Sequence, residues 1–296
     1  MNKKTAESRY NSLLKIHKIV ESNKNITLIN LLKLSKEIGF YLDRANYSKF
    51  IIEEINKKFA IDESSLDKSG SLISIRNLKT LWIYVTEEEK YSTNSYQKHE
   101  RNLLSSIDKE NDKLIAVGKR AIGFAQKNNI EILTKFEKND IAYLSNLLPK
   151  LVISTFKTDE YENLNFVINS NKIKQKYIQL LPIRKNNFTL EHHKESVIFK
   201  SSLTSHKIYQ DLNAFIDSEL ENYLTFATWS LLTESALIYE KYKLVAQNST
   251  LNDLDEKLRF QFRMILKAKR EREIEEMSIL SKKKDLLHSQ ERLKND

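Results

Sequence analysis

From Arg184 to Asp296 the chain contains neither glycine nor proline, and that absence constrains the fold more than any motif in it. Proline removes a backbone donor and clashes with the preceding helical turn, while glycine is the residue that most readily ends a helix. Within the stretch, apolar residues recur at helical spacing: Leu212, Phe215, Ile216, Leu220, Tyr223, Leu224 and Ala227, then Leu231, Ala236, Leu244, Leu251, Leu254 and Leu258. The pattern predicts helix from about Thr204 to the end of the chain. At about 1.5 Å per residue, about sixty residues of helix span about 90 Å, well beyond a compact domain. A helix of that length needs a partner for its apolar stripe.

The partner lies at the other end of the chain. From about Thr5 to Ala60 there is no proline and one glycine, and Leu13, Ile16, Val20, Leu31, Leu34, Ile38, Tyr41 and Ala45 form a narrow stripe of the coiled-coil kind. Asn23 to Asn25 interrupts the stripe, which predicts a local break or a patch that faces a partner. Antiparallel pairing of the two terminal helices hides both stripes. Each buried Leu or Ile is worth about 1.5–3 kcal/mol, against at most about 1 kcal/mol for an exposed ion pair, so the apolar seam decides the pairing.

The middle has another character. "DESSLDKSGS" (Asp62 to Ser71) reads as a polar linker. "LKTLWIYV" (Leu78 to Val85), "KLIAVG" (Lys113 to Gly118), "NLNFVINS" (Asn163 to Ser170) and "YIQLLPI" (Tyr177 to Ile183) are short apolar runs rich in strand formers, and "IEILTKF" (Ile130 to Phe136) is a further short strand. Helical patterns lie between them at Ser95 to Ile107, Lys119 to Asn128 and Asp140 to Thr155. Strands alternating with helices predict a mainly parallel sheet covered on both faces. "ESVIFKSS" (Glu195 to Ser202) reads as an edge strand or extended connection. The fold class is therefore α/β with long helices: a Rossmann-like α/β domain inserted between terminal helices that pair as an antiparallel coiled coil. The boundaries fall at 1–62, 63–203 and 204–296.

Charge and composition narrow the function. The formal net charge is +9, with 49 Lys and Arg against 40 Asp and Glu. An excess of that sign favours acidic partners, but acidic residues are interspersed along most of the chain, as on solvated helix faces. The chain has no cysteine, so disulfides, thiolate metal sites and cysteine nucleophiles are excluded. The N-terminal residues lack the apolar core of a signal peptide, and no apolar run approaches the roughly 20 residues of a membrane span. A soluble, intracellular protein is expected.

Motifs for chemistry are weak. "GKRAIG" (Gly118 to Gly123) follows a strand and opens a helix, but it lacks the glycine spacing and Lys-Ser/Thr of a P-loop, and it is not GxGxxG. A glycine that permits a tight turn is the simpler reading. "TEEEK" (Thr86 to Lys90) offers three carboxylates that could hold a divalent cation or simply form a charged loop. His192 and His193 adjoin Glu191 without further zinc-ligand spacing. No serine sits in a nucleophile elbow, and Trp82 and Trp229 fall on apolar faces, as packing residues do. "KAKRERE" (Lys267 to Glu273) and "SKKKD" (Ser281 to Asp285) are the sharpest basic features. Glu271, Glu273, Glu275 and Glu276 interleave with the first, as on a coiled-coil flank rather than a nucleic-acid face.

Several segments together resemble the γ subunit of F-type ATPases, the central rotor shaft. In "SLLTESALIYEKYKLVAQNS", Ser230, Glu234, Ala236 and Asn248 match positions near the start of that family's long C-terminal helix. In "KAKREREIEEM", Ala268, Glu273, Ile274 and Glu276 match its terminal segment. "LWIYVTEEE" with Thr86, "IAVGKRAIGFAQKNN", and "NFVINSNK…YIQLLPI" with Asn169, Leu181 and Pro182 are similar to its central strands. The order is sustained from about residue 10 to 277. The family's Gly-rich loop after the first strand is replaced by "EKYSTNSYQ", its Arg-Gln pair falls on Leu266 and Lys267, and residues after Met277 extend past its usual end.

The resemblance implies a non-catalytic rotor inside a hexamer of α- and β-type ATPase subunits, with an ε/δ-like or specialised subunit at the globular end. ATP and Mg would sit in those partner subunits, and this chain would bind no catalytic group, cofactor, metal or nucleic acid. Lys267, Lys269, Arg270, Arg272 and Glu273 are the expected contacts to the ring. The departures suit a diverged F1-like ATPase of the gliding-motility type better than a proton-translocating ATP synthase. The expected location is cytoplasmic, peripheral at the inner face of the membrane through the complex. The residues leave open a structural or nucleic-acid-binding coiled-coil adaptor, and an α/β enzyme with a helical dimerisation arm, which would require a cofactor pocket and against which the missing Gly loop weighs.

Overall fold

A computed structural model of the chain describes residues 3–59, 79–87, 95–158, 161–170, 176–183 and 211–292. The expected linker at 62–71, the extended segment at 195–202 and the His192–His193 pair lie outside these residues. The element order is α1 (Lys3–Phe59), β1 (Lys79–Val85), α2 (Ser95–Ser106), β2 (Lys113–Val117), α3 (Lys119–Lys127), β3 (Ile132–Phe136), α4 (Ile141–Thr158), β4 (Tyr161–Val167), β5 (Ile178–Leu181) and α5 (Leu212–Arg292).

The five strands form one sheet in the order β3-β2-β1-β4-β5. The first four strands run parallel, and β5 pairs antiparallel with β4. Parallel neighbours need crossovers, and α2, α3 and α4 supply them. Side chains alternate across a strand, and the core divides accordingly. Leu81, Ile83 and Val85 of β1, with Ile115 and Val117 of β2, join α4 and both terminal helices in one cluster. Trp82, Tyr84, Leu114 and Ala116 point the other way, onto Leu103 of α2 and Ala121, Phe124 and Ala125 of α3. Both faces are covered, as the continuous apolar runs predict.

The chain divides into two compact units. Met1–Leu28 with Leu244–Asp296 form one, and Ile29–Lys243 form the other. In the larger unit, Ile51 and Ile55 of α1 cluster with Ile216 of α5. Tyr41 stacks on Trp229 at 4.7 Å, and Ser230 Oγ donates to the Ile38 carbonyl at 3.4 Å. Rising positions in α1 meet falling positions in α5, so the helices are antiparallel. The smaller unit repeats the pattern. His17 contacts Asp255 at 3.1 Å, and seven positions earlier Tyr10 meets Phe262 at 6.2 Å, the step of one coiled-coil heptad.

Two expectations about α1 are corrected. The helix runs through Asn23–Asn25 without a break; Lys24 takes the inward position, and Thr27 is buried with its hydroxyl bonded to the Asn23 carbonyl at 3.0 Å. Ile16 does not belong to the seam, since it is 47% exposed. A repeat of seven through Ala6, Leu13, Val20 and Thr27 alternates with one through Tyr10, His17 and Lys24, all buried or half-buried. Ile16 lies one position off that path, so His17 takes the inward place.

Candidate functional site

The carboxyl ends of the parallel strands are where an open α/β sheet binds ligands. Here they open onto a cleft of about 1170 Å³ lined by Thr86, Glu100, Gly118, Arg120 and Asn139, among others. Gly118 adopts φ +95°, and a Cβ there would collide with the carbonyl and hydroxyl of Thr86. The glycine is required by the close approach of β1's end, not by a phosphate. Thr86 Oγ1 donates to the Val117 carbonyl at 3.0 Å and accepts the Ala121 N–H at 3.2 Å. It thus caps α3 from another strand, since Gly118 has no side chain to do so.

One cation of the cleft, Arg120, is paired from within. Arg120 makes a two-pronged contact with Glu100, at 2.7 and 3.0 Å, and lies over the Tyr96 ring at 5.2 Å. Glu100 also accepts the Tyr84 hydroxyl at 3.1 Å. Burial, reinforced by Glu100, pushes the Tyr84 phenol well above its ordinary range, and burial pushes Tyr96 up to about 12. Glu87 of the "TEEEK" run accepts from Asn139 Nδ2, while Glu88, Glu89 and Lys90 lie outside the described residues. Among the described residues no cluster of three metal-ligating side chains occurs. Trp82 is 2% exposed and donates Nε1–H to Asp112 at 2.9 Å, the packing role its spacing suggests.

The other candidate surface is the smaller unit. Most of the exposed large apolar side chains in the described chain belong to it. Ile16 and Ile19 lie on one flank of the α1 seam, while Phe260 and Phe262 lie on opposite flanks of the α5 seam. Towards the C-terminal end, Ile274, Met277, Ile279 and Leu280 are each more than half exposed. Exposed apolar residues on both flanks of a helical pair and around one helix do not suit a surface left in water.

The basic run lies on this unit. Lys267, Lys269, Arg270, Arg272 and Glu273 are all exposed. Lys267 approaches Glu271 at 3.9 Å, Lys269 approaches Glu273 at 3.8 Å, and Arg272 approaches Glu276 at 3.1 Å, each one helical turn on. Such pairs are solvated and worth little. Ile274 is 65% exposed, Glu276 is exposed, and Ala268 and Asn248 are half-buried. Ser230 and Glu234 are fully buried in the larger unit, with Ala236 half-buried beside them. The matched positions therefore split between a buried group in the α/β region and an exposed group on the terminal pair. Asp112 and Tyr96 had no sequence signal, because partners far apart in the chain make them important.

These features define a class: an α/β sheet domain inserted between long N- and C-terminal helices that pair antiparallel. The chain is 32% identical over 290 residues to an uncharacterized protein of Ureaplasma parvum serovar 3, covering 95% of this chain and 94% of that protein. It is 22% identical to the ATP synthase gamma chain of Mycoplasma mycoides subsp. mycoides, covering 85% and 87%, and 22% identical to that of Mycoplasmopsis pulmonis, covering 90% and 95%. The chain belongs to one family with the Ureaplasma protein, and its similarity to the gamma chains makes it a diverged γ-like chain. No family model matches it. Among solved structures it aligns at TM-score 0.44 with a rotor chain of the Euglena gracilis mitochondrial ATP synthase, at 12% identity, covering 91% of this chain and 98% of that one. A central-stalk chain of the Tetrahymena thermophila enzyme aligns at TM-score 0.45 and 13% identity, covering 76% and 99%.

Proposed function

We propose that the protein is the central-stalk rotor of an F1-like rotary ATPase. It couples ATP hydrolysis in a surrounding hexamer of α- and β-type subunits to rotation or force. The observation that carries this reading is the exposed apolar surface of the terminal helical pair. Residues on opposite flanks of one seam call for a partner that encloses the pair rather than one that docks along a single side. Similarity to the gamma chains says what kind of partner encloses such a pair.

On this reading the chain contributes no catalytic group. ATP and Mg occupy sites in the partner subunits, and Arg120 of this chain's cleft is engaged by Glu100. Successive hydrolysis events favour different arrangements of the ring's inner surface, and an asymmetric shaft follows the one that is populated. The replaced Gly-rich loop and the residues beyond Met277 favour a specialised motor of the gliding-motility type over an ATP synthase. Among the described residues no helix is long and apolar enough to cross a membrane, so a place at the inner membrane face would come through the complex.

Lys267, Lys269, Arg270 and Arg272 project from the shaft and would meet carboxylates on the ring. Purification of the tagged chain from native cells should recover ATPase subunits carrying nucleotide-binding motifs. Reversing those four charges should lower ATP turnover of the complex at least about tenfold, the effect of about 1.4 kcal/mol. Unchanged turnover rejects the contact, and recovery of no nucleotide-binding subunit rejects the rotor. Recovery of nucleic acid lost steeply with salt would favour the adaptor instead.

A further inference from the structure

We propose that the ligand crevice of the α/β domain is used to hold α5, with Glu234 as the residue that fixes the orientation of that helix about its own axis. In an open sheet the crevice lies where strand order reverses. Here that point is between β1 and β4, since β1 leads to β2 on one side and pairs with β4 on the other. Side chains of the protein occupy it, whereas the open cleft lies beside it, towards the ends of β2 and β3. Tyr96 of α2, 2% exposed, accepts the Glu87 N–H beyond the end of β1 at 3.0 Å. It also shares a hydrogen bond with the side chain of Asn169 beyond the end of β4, as does His99. The next residue, Ser170, donates its hydroxyl to Glu234 Oε1 at 2.8 Å, and Glu234 has no solvent exposure.

A carboxylate is a poor choice for holding a helix by stability alone. Its desolvation commonly offsets what its partners return, and an apolar residue of similar size often serves as well. What a buried hydrogen bond adds is direction. Leu231, Leu232 and Leu237 bind α5 into the main core beside Ile38 and Leu42 of α1, but apolar burial is non-directional and tolerates a small turn of the helix. Two further ties between α5 and the α/β region are longer: Tyr223 donates its hydroxyl to the Leu180 carbonyl at 3.3 Å, and Lys157 approaches Asp217 at 3.6 Å with both largely exposed. The Ser170–Glu234 contact is shorter and buried on both sides. If the protein is the rotor, torque on α5 passes to the α/β domain through this contact. That consequence rests on the rotor reading; the orientation claim does not.

The test uses the full chain without any partner, so its failure leaves the rotor reading standing. The sequence has no native cysteine, and Lys127→Cys on α3 with Lys241→Cys on α5 gives two exposed spin-label sites inside the larger unit. The parent should show one narrow distance peak. Glu234→Gln, which keeps an acceptor for the Ser170 hydroxyl, should retain it. Glu234→Leu should lose the single peak to a broad or split distribution, with a thermal midpoint no lower than the parent's. A folded Leu variant with the parent's narrow peak overturns the proposal, as does a Gln variant as broad as the Leu one. If Glu234→Leu does not fold, Ser170→Ala decides: a broadened peak supports the claim and an unchanged one overturns it.

Discussion

At the scale of single residues, the fold depends on polar groups that hydropathy cannot detect. Asp112 is 4% exposed and accepts from Thr80 N–H at 2.7 Å, Trp82 Nε1–H at 2.9 Å and Asp108 N–H at 3.0 Å. It ties the start of β1 to the turn before β2. Asp112→Ala leaves three donors without their acceptor, and the expected loss is about 3 kcal/mol, read by urea unfolding with Trp82 fluorescence. A loss below about 1 kcal/mol would show that water replaces the carboxylate. In the sequence Asp112 is one polar residue in a polar turn. His99 is similar. Burial, then the neighbouring Lys98, holds its imidazole below the ordinary 6.5, against the hydrogen bond to Asn169 and the charge of Glu100. The folded state therefore disfavours the proton that the unfolded chain takes up first. Stability from this group is present above about pH 6.5 and is lost as pH falls below that value. His99→Gln should flatten that dependence between pH 7.5 and 5.5, as followed by thermal melts.

Elements were legible where one pattern ran long. The continuous apolar run of "LKTLWIYV" and the three-and-four spacing of the termini each describe surfaces that must be covered, and helices on both faces of the sheet and the helical pair cover them. Finer placement was less legible. A stripe of Leu13, Ile16 and Val20 satisfies helical spacing as well as Leu13, His17 and Val20 does, and only the partner helix decides between them. The smaller unit also has a polar seam. His17, Lys24 and Thr27 occupy it from α1, while Gln247 Oε1 and Gln261 Oε1 are buried without a hydrogen-bond partner among the described residues. A polar seam position sets register at a cost in stability. Gln261→Leu should therefore stabilise the pair by about 1 kcal/mol. Slower amide exchange across residues 244–268 would show this, whereas faster exchange would mean that Gln261 makes a contact that matters.

For the whole molecule, the sequence carried the class but not its setting. The order of weak motifs from strand to strand pointed to the γ family, and relatedness to ATP synthase gamma chains agrees. What the proposed motor drives is marked in the sequence only by departures such as the replaced Gly-rich loop, because the chain would transmit force rather than perform chemistry. The central claim is that a ring of ATPase subunits encloses the terminal helical pair. It is tested most directly by placing a photo-crosslinking amino acid at Ile19, Phe262 or Met277 in the native complex and identifying the captured peptides by mass. Capture of nucleotide-binding α- and β-type subunits from all three positions is the predicted result. Capture from one flank only, or of subunits without nucleotide-binding motifs, would contradict it.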